Sequence, residues 1–136
     1  MRTKTPRTYF TNTDLILVAA ALAGAGKKFA DIEDIAVEAY RLSPKRFGWR
    51  TKPYPNLRSV VQTVTDLERK SRKDGTAELT RRGPVDRTAG VITRQLTSEG
   101  QKAALQAGAL VAGREFTGLN NMLAHFRALG AEAVKL

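Results

Sequence analysis

Nine consecutive apolar residues, Leu15–Ala23 (LILVAAALA), follow the polar stretch Thr11–Asn12–Thr13–Asp14 and stop at Gly24–Ala25–Gly26. Small polar residues ahead of the run can accept the orphan N–H groups of a first helical turn. Asp14 suits the positive end of the helix dipole, and the glycines end the helix. A helix that is apolar nearly all round has no face to give to water, so other elements must cover it on every side. The run is too short to cross a bilayer, and the segment after it is basic, unlike a leader-peptide cleavage site. With 136 residues, 42% of them hydrophobic, the chain fits one globular domain with one ordinary core. There is no cysteine, which excludes disulfides, thiolate chemistry and Cys-ligated zinc. The expectation is a soluble cytoplasmic protein.

The covering elements are legible. Phe29–Leu42 reads as a second helix, with Asp31 as its N-cap and Ile32, Ile35, Ala36 and Ala39 on one face. Ser43–Pro44 ends it. A third helix is expected from about Pro55 or Asn56 to Lys70, with Leu57, Val60, Val61, Val64 and Leu67 as its buried stripe. Thr76–Arg82 and Val91–Thr97 read as the strands of a hairpin around the loop Gly83–Gly90. In the second strand the alternation puts Val91, Thr93 and Gln95 on one face and Ile92, Arg94 and Leu96 on the other. Thr97–Ser98–Glu99 caps a fourth helix that runs to about Ala112 and breaks at Gly113. A fifth runs from about Arg114 to Leu129, with Phe116, Leu119, Leu123 and Phe126 as an apolar stripe. Residues 1–10 carry Arg2, Lys4 and Arg7 without apolar periodicity, as a flexible basic arm would. The fold class is therefore α+β and mainly α: an arm at 1–10, a domain at 11–112, and a C-terminal element at 113–136.

Charge is distributed unevenly. The formal net charge is +10, of which residues 1–97 hold +9 and the last 39 residues +1. From Arg41 to Arg58 there are six basic side chains and no acidic one, interleaved with Phe47, Trp49 and Tyr54. Such a localised excess favours a polyanionic partner, nucleic acid before an acidic protein or a membrane surface. The aromatics exceed what a solvated loop needs, and some are expected to fold back onto the core.

The order helix, helix, loop, helix, two-stranded hairpin, helix, with the step Arg94–Gln95–Leu96–Thr97–Ser98–Glu99–Gly100 leaving the second strand, resembles the winged helix-turn-helix family over residues 11–112. The resemblance implies a three-helix core, a β-hairpin wing and additional C-terminal helices. It implies a duplex-DNA-binding regulator whose third helix enters the major groove. On this sequence, Asn56, Arg58, Ser59 and Gln62 become candidate base readers, with side chains suited to guanine or adenine edges. Arg46, Arg50, Lys52, Arg69, Arg72 and Lys73 become phosphate contacts, and Arg81, Arg82, Arg87 and Arg94 wing contacts. The segment between the second and third helices is longer than the family's usual turn. Either a short extra helix begins at Ser43–Pro44, or the turn is elaborated into a contact surface.

Each assignment has a plainer rival. Arg58 and Gln62 also fit an ordinary wet helix face, and Asp66 on that face would repel phosphate. Arg69–Lys73 also fits the cation preference of a helix C-terminus. The stripe of the fifth helix fits either a homodimer contact or packing on the chain's own core. GAGKK (24–28) lacks the first glycine and the hydroxyl residue of a phosphate-binding loop and reads as a helix stop. With one histidine, His125, and scattered acids, no catalytic set, metal site or cofactor site is expected. The alternative function is a non-catalytic adaptor, a small subunit of a larger nucleic-acid or defence assembly that contacts protein or RNA.

Overall fold

The structure is a computed structural model, describing residues 10–68, 79–86, 88 and 90–129. In chain order the elements are α1 (Asn12–Leu22), β1 (Ala30–Asp31), α2 (Ile32–Leu42), α3 (Pro44–Phe47), α4 (Leu57–Leu67), β2 (Thr80–Asp86), β3 (Val91–Leu96), α5 (Ser98–Ala112) and α6 (Leu119–Leu129). The architecture is α+β, mostly helical, with one small antiparallel sheet in the order β1-β3-β2.

Helix α1 occupies the centre that its sequence demands. Thr11 caps it through a reciprocal box: the Asp14 amide donates to Thr11 Oγ1 (3.2 Å), and the Thr11 amide donates to Asp14 Oδ2 (2.8 Å). Every residue from Asp14 to Ala21 is buried, and α2, α4 and α5 pack around it. Each fully buried Leu or Ile of that run contributes about 1.5–3 kcal/mol relative to exposure. The run of small side chains Ala19–Ala21, with Ala104 and Ala107 of α5, lets neighbouring helices approach closely.

Helix α2 begins at Ile32, not at Phe29. Asp31 accepts from the Glu33 amide (2.8 Å), and the residue before the cap is already strand: Ala30 pairs with Arg94 and Asp31 with Thr93. This two-residue third strand was not expected, because neither residue carries a strand signal and their partners lie more than sixty positions on. Of the two readings of the segment after Pro44, the short extra helix is present as α3. Ser43 Oγ accepts from the Arg46 amide, and Pro44 takes the first position, where its missing N–H costs nothing.

Helix α4 starts one residue after Asn56, whose side-chain oxygen accepts from the Ser59 amide (3.3 Å). It buries Val60, Val64 and Leu67. Val61 is half-buried and Leu57 is exposed, so the stripe is narrower than expected at its first turn. The hairpin is anchored to the other end of α4: the Leu79 amide donates to the Leu67 carbonyl (2.9 Å), and Thr80 Oγ1 donates to the Val64 carbonyl (3.2 Å). Strand β2 runs Thr80–Asp86, past the expected end at Arg82, while residues 76–78 of the expected strand lie outside the described residues. Its register against β3 shifts between Arg82 and Val85, so the Gly83–Pro84 step is a bulge inside the ladder.

Helix α5 follows the expected bounds. Thr97 accepts from the Gly100 amide (3.0 Å), and Gly113 ends the helix at φ 70°, a left-handed conformation that favours glycine. Helix α6 begins at Leu119, five residues later than expected, after an irregular lead-in that holds Phe116. Met122 and Phe126 are buried, and Phe116, Leu119 and Leu123 pack partly buried on the same core. The stripe of the fifth helix is thus used within the chain. Residues 1–9, 69–78, 87, 89 and 130–136 lie outside the described residues, and with them most of the expected arm, Arg69, Arg72, Lys73 and Arg87.

Candidate nucleic-acid interface

The loop between α3 and α4 carries the first group of candidates. The buried ring of Phe47 fixes its start. Across the loop, the Trp49 amide donates to the Tyr54 carbonyl (2.8 Å) and the Asn56 amide to the Phe47 carbonyl (2.7 Å), around a Gly48–Pro55 bridge. Gly48 is required there: a Cβ would fall inside the van der Waals envelopes of the Pro44 carbonyl oxygen and the Tyr40 ring. The closed loop holds Arg50 and Lys52 in solvent immediately beside the capped start of α4. Lys45, on α3, is also exposed and belongs to the same acid-free run, although the basic-residue reading did not single it out as a contact.

Along α4, Arg58, Gln62 and Asp66 form the solvent ridge at i, i+4 and i+8. A shallow groove lined by Leu57, Arg58, Val61 and Gln62 runs beside it. Asp66 stands two turns from Arg58, about 12 Å along the axis. The other two candidate readers have local duties. Asn56 caps the helix, and Ser59, half-buried, supplies the amide to that cap and a carbonyl to Thr63 Oγ1.

Two of the candidate cations are spent inside the fold. Arg46 Nη1 donates to the Phe10 carbonyl (2.9 Å) and approaches Asn12 Oδ1 (3.4 Å), with its guanidinium 5.5 Å from the Phe10 ring centre. It ties the entry of α1 to α3. Arg94 is only 7% exposed; Nη1 donates to the Thr93 carbonyl (3.0 Å), and Nε lies 3.0 Å from Glu68 Oε1 but off the line of a hydrogen bond, a contact of charges. The strand alternation already carried this signal, since Arg94 shares its face with Ile92 and Leu96.

Glu68 organises the hairpin's junction with α4. Arg82 and Arg94 are directly opposed across the strands, a placement that would repel. The Glu68 carboxylate, at the C-cap of α4, accepts from Arg82 Nε (2.8 Å) and also meets Arg94. Arg82 remains 66% exposed and keeps an outward charge. On the other face of β2, Arg81 donates to Gln95 Oε1 and lies 5.3 Å from the Phe29 ring centre. It too stays exposed.

Arg50 and Lys52 thus lie on the hydrogen-bonded loop that ends at the Asn56 cap, Lys45 on the short helix before it, and Arg58 and Gln62 on the exposed ridge of α4, while Arg81 and Arg82 lie on the hairpin joined to its other end. No carboxylate occurs between Glu38 and Asp66. Among the described residues, Lys45, Arg50, Lys52 and Arg58 have no carboxylate partner, whereas Arg41, Arg82, Arg94 and Lys102 do. Among the described residues no group of three His, Asp or Glu side chains could hold a metal ion, and no helix is long and apolar enough to cross a membrane. No family model, curated protein or solved structure matches the chain.

Proposed function

We propose that the chain is a non-catalytic, duplex-DNA-binding protein of the winged helix-turn-helix type, acting as a regulator with α4 in the major groove and the β2–β3 hairpin as its wing. The observation that carries this reading is the acid-free cationic start of α4: Lys45, Arg50, Lys52 and Arg58 are exposed and, among the described residues, without a carboxylate partner, where the N–H groups of a helix start also favour phosphate. The element order and the sheet order β1-β3-β2, with the hairpin anchored on the C-terminal half of α4, support it. Arg58 and Gln62, on the solvent ridge, are the base-edge readers in this scheme. Asn56 contributes through the cap, Arg81 and Arg82 lie against the backbone, and Arg46 and Arg94 are structural.

The test is a mobility shift with random-sequence duplex at low and moderate salt. Phosphate contacts from the four uncompensated cations alone give a log–log salt slope of about −3.6, and Arg81 and Arg82 steepen it to about −5. Charge reversal at Arg50, Lys52 and Arg58 together abolishes the shift while leaving the unfolding midpoint nearly unchanged. A shift that survives the triple reversal removes this face from the interface.

The adaptor reading is favoured by a different observation. Leu57 is 39% exposed at the mouth of the groove it shares with Val61, an apolar contact that a protein partner would use. Weak, salt-insensitive DNA binding by the isolated chain would select that reading.

A further inference from the structure

Trp49 and Tyr54 face solvent, 55% and 52% exposed, on the loop that follows the fully buried Phe47 at the end of α3. Their ring centres are 5.1 Å apart, edge to face with planes at 81°. An edge-to-face pair leaves ring surface uncovered, and both exposures are consistent with that. Exposing two such rings forfeits burial free energy, and the loop is not loose enough for this to be incidental. The Trp49–Tyr54 and Asn56–Phe47 hydrogen bonds and the close approach at Gly48 hold the pair outward in one geometry.

The surroundings identify the occupant. Arg50 and Lys52 sit between the two rings in sequence, Lys45 and Arg58 flank them along the chain, and the run from Ala39 to Thr65 contains no carboxylate. Cations that take a phosphodiester backbone, beside exposed ring faces, are the two components of a single-strand stacking site. A purely duplex-reading surface has no use for the rings, because bases in a duplex present their faces to one another. A proline-rich or acidic peptide would use only one of the two components.

We propose that the Trp49–Tyr54 pair is a stacking site for an unpaired DNA base, so that the protein engages DNA containing at least one unstacked nucleotide beside the duplex held by α4. The proposal rests on the DNA-binding reading above.

Trp49 is the chain's sole tryptophan, so its fluorescence reports on this site alone. The full chain is titrated at low salt with a thymidylate 15-mer, an abasic strand of equal length, random duplex, and poly-glutamate. The thymidylate strand quenches the emission, while the abasic strand binds with little quenching. Replacing Trp49 with Ala, or Tyr54 with Ala, weakens thymidylate binding about tenfold, followed by anisotropy of a labelled strand, and leaves abasic-strand binding unchanged. The two positions are exposed and check each other should either variant lose stability. Equal affinity and equal quenching for the thymidylate and abasic strands overturn the stacking site while preserving the DNA-binding reading, as does duplex binding with no response to the thymidylate strand. Quenching by poly-glutamate alone assigns the rings to an acidic protein and overturns it. Absence of binding to every DNA at low salt overturns both proposals.

Discussion

Helices α1 and α4 have the same length, eleven residues each, and opposite uses of it. In α1 every residue from Asp14 to Ala21 is buried, and the helix touches the rest of the molecule on all sides. In α4 only Val60, Val64 and Leu67 are buried, and the remaining circumference is left to Arg58, Gln62, Asp66 and Leu57. The first helix has no surface through which to act, so its side chains answer to packing alone. The second is held by one stripe and by its two ends: the Asn56 cap and acid-free loop at the start, and the Glu68 junction with the hairpin at the finish. A helix fixed in this way presents one defined outer face, which is the physical basis for the interface proposed on it.

The contrast is tested most severely by paired truncations. Leu15→Ala in α1 is expected to cost about 2–5 kcal/mol by urea denaturation, because a cavity opens where no neighbour can collapse freely. Leu57→Ala in α4 is expected to cost within about 0.5 kcal/mol. Comparable losses at the two positions would break the distinction. Next in size is Glu68→Gln, expected to cost about 3 kcal/mol because it leaves the Arg94 guanidinium buried without its counter-charge. Arg82→Ala, at the exposed end of the same network, is expected to cost less than about 1 kcal/mol. Asn56→Ala removes the cap of α4 and costs about 1 kcal/mol, and Asn56→Asp, which also caps, restores it. Thermal melts of the three proteins separate capping from base reading at this position, since a reader would lose affinity without losing stability. Arg58→Ala, like Leu57→Ala, is expected to leave stability unchanged within about 0.5 kcal/mol. Its signature is instead a salt slope shallower by about 0.9.

The parts of the fold that could be read from residues alone are those whose chemistry is local. Thr11 with Asp14, Asp31, Thr97 and Gly113 each marked a helix end correctly, because a cap is satisfied within three or four residues, whereas Asn56 was read as a base reader and its capping role came from the structure. The failures have long-range causes. Ala30–Asp31 becomes a strand only because β3 offers it a free edge. Leu57 is apolar and in phase with its stripe, yet it stays 39% exposed at the first turn of α4. In the candidate site, Arg50, Lys52 and Arg58 were legible as a run of charge without acids. Arg46 was not separable from them, since its partner is the carbonyl of Phe10, thirty-six positions away. Arg94 was separable in principle, from its phase with Ile92 and Leu96. Glu68 carried no signal at all, because its role depends on two arginines that meet only across a folded hairpin.

What the amino-acid order determined unaided is therefore the five longer helices, the central place of α1 and the concentration of positive charge in the first two thirds of the chain, while the short α3 was only one of two readings. Periodicity, capping and composition act over a turn or two and do not wait for the rest of the molecule. Only the tertiary structure decided which cations face water and which meet a half-buried carboxylate or tie down a chain end, and that Phe47 turns inward while Trp49 and Tyr54 turn out. Those outcomes depend on desolvation and on partners brought together from distant positions, and burial is a property of the assembled core, not of the residue that enters it.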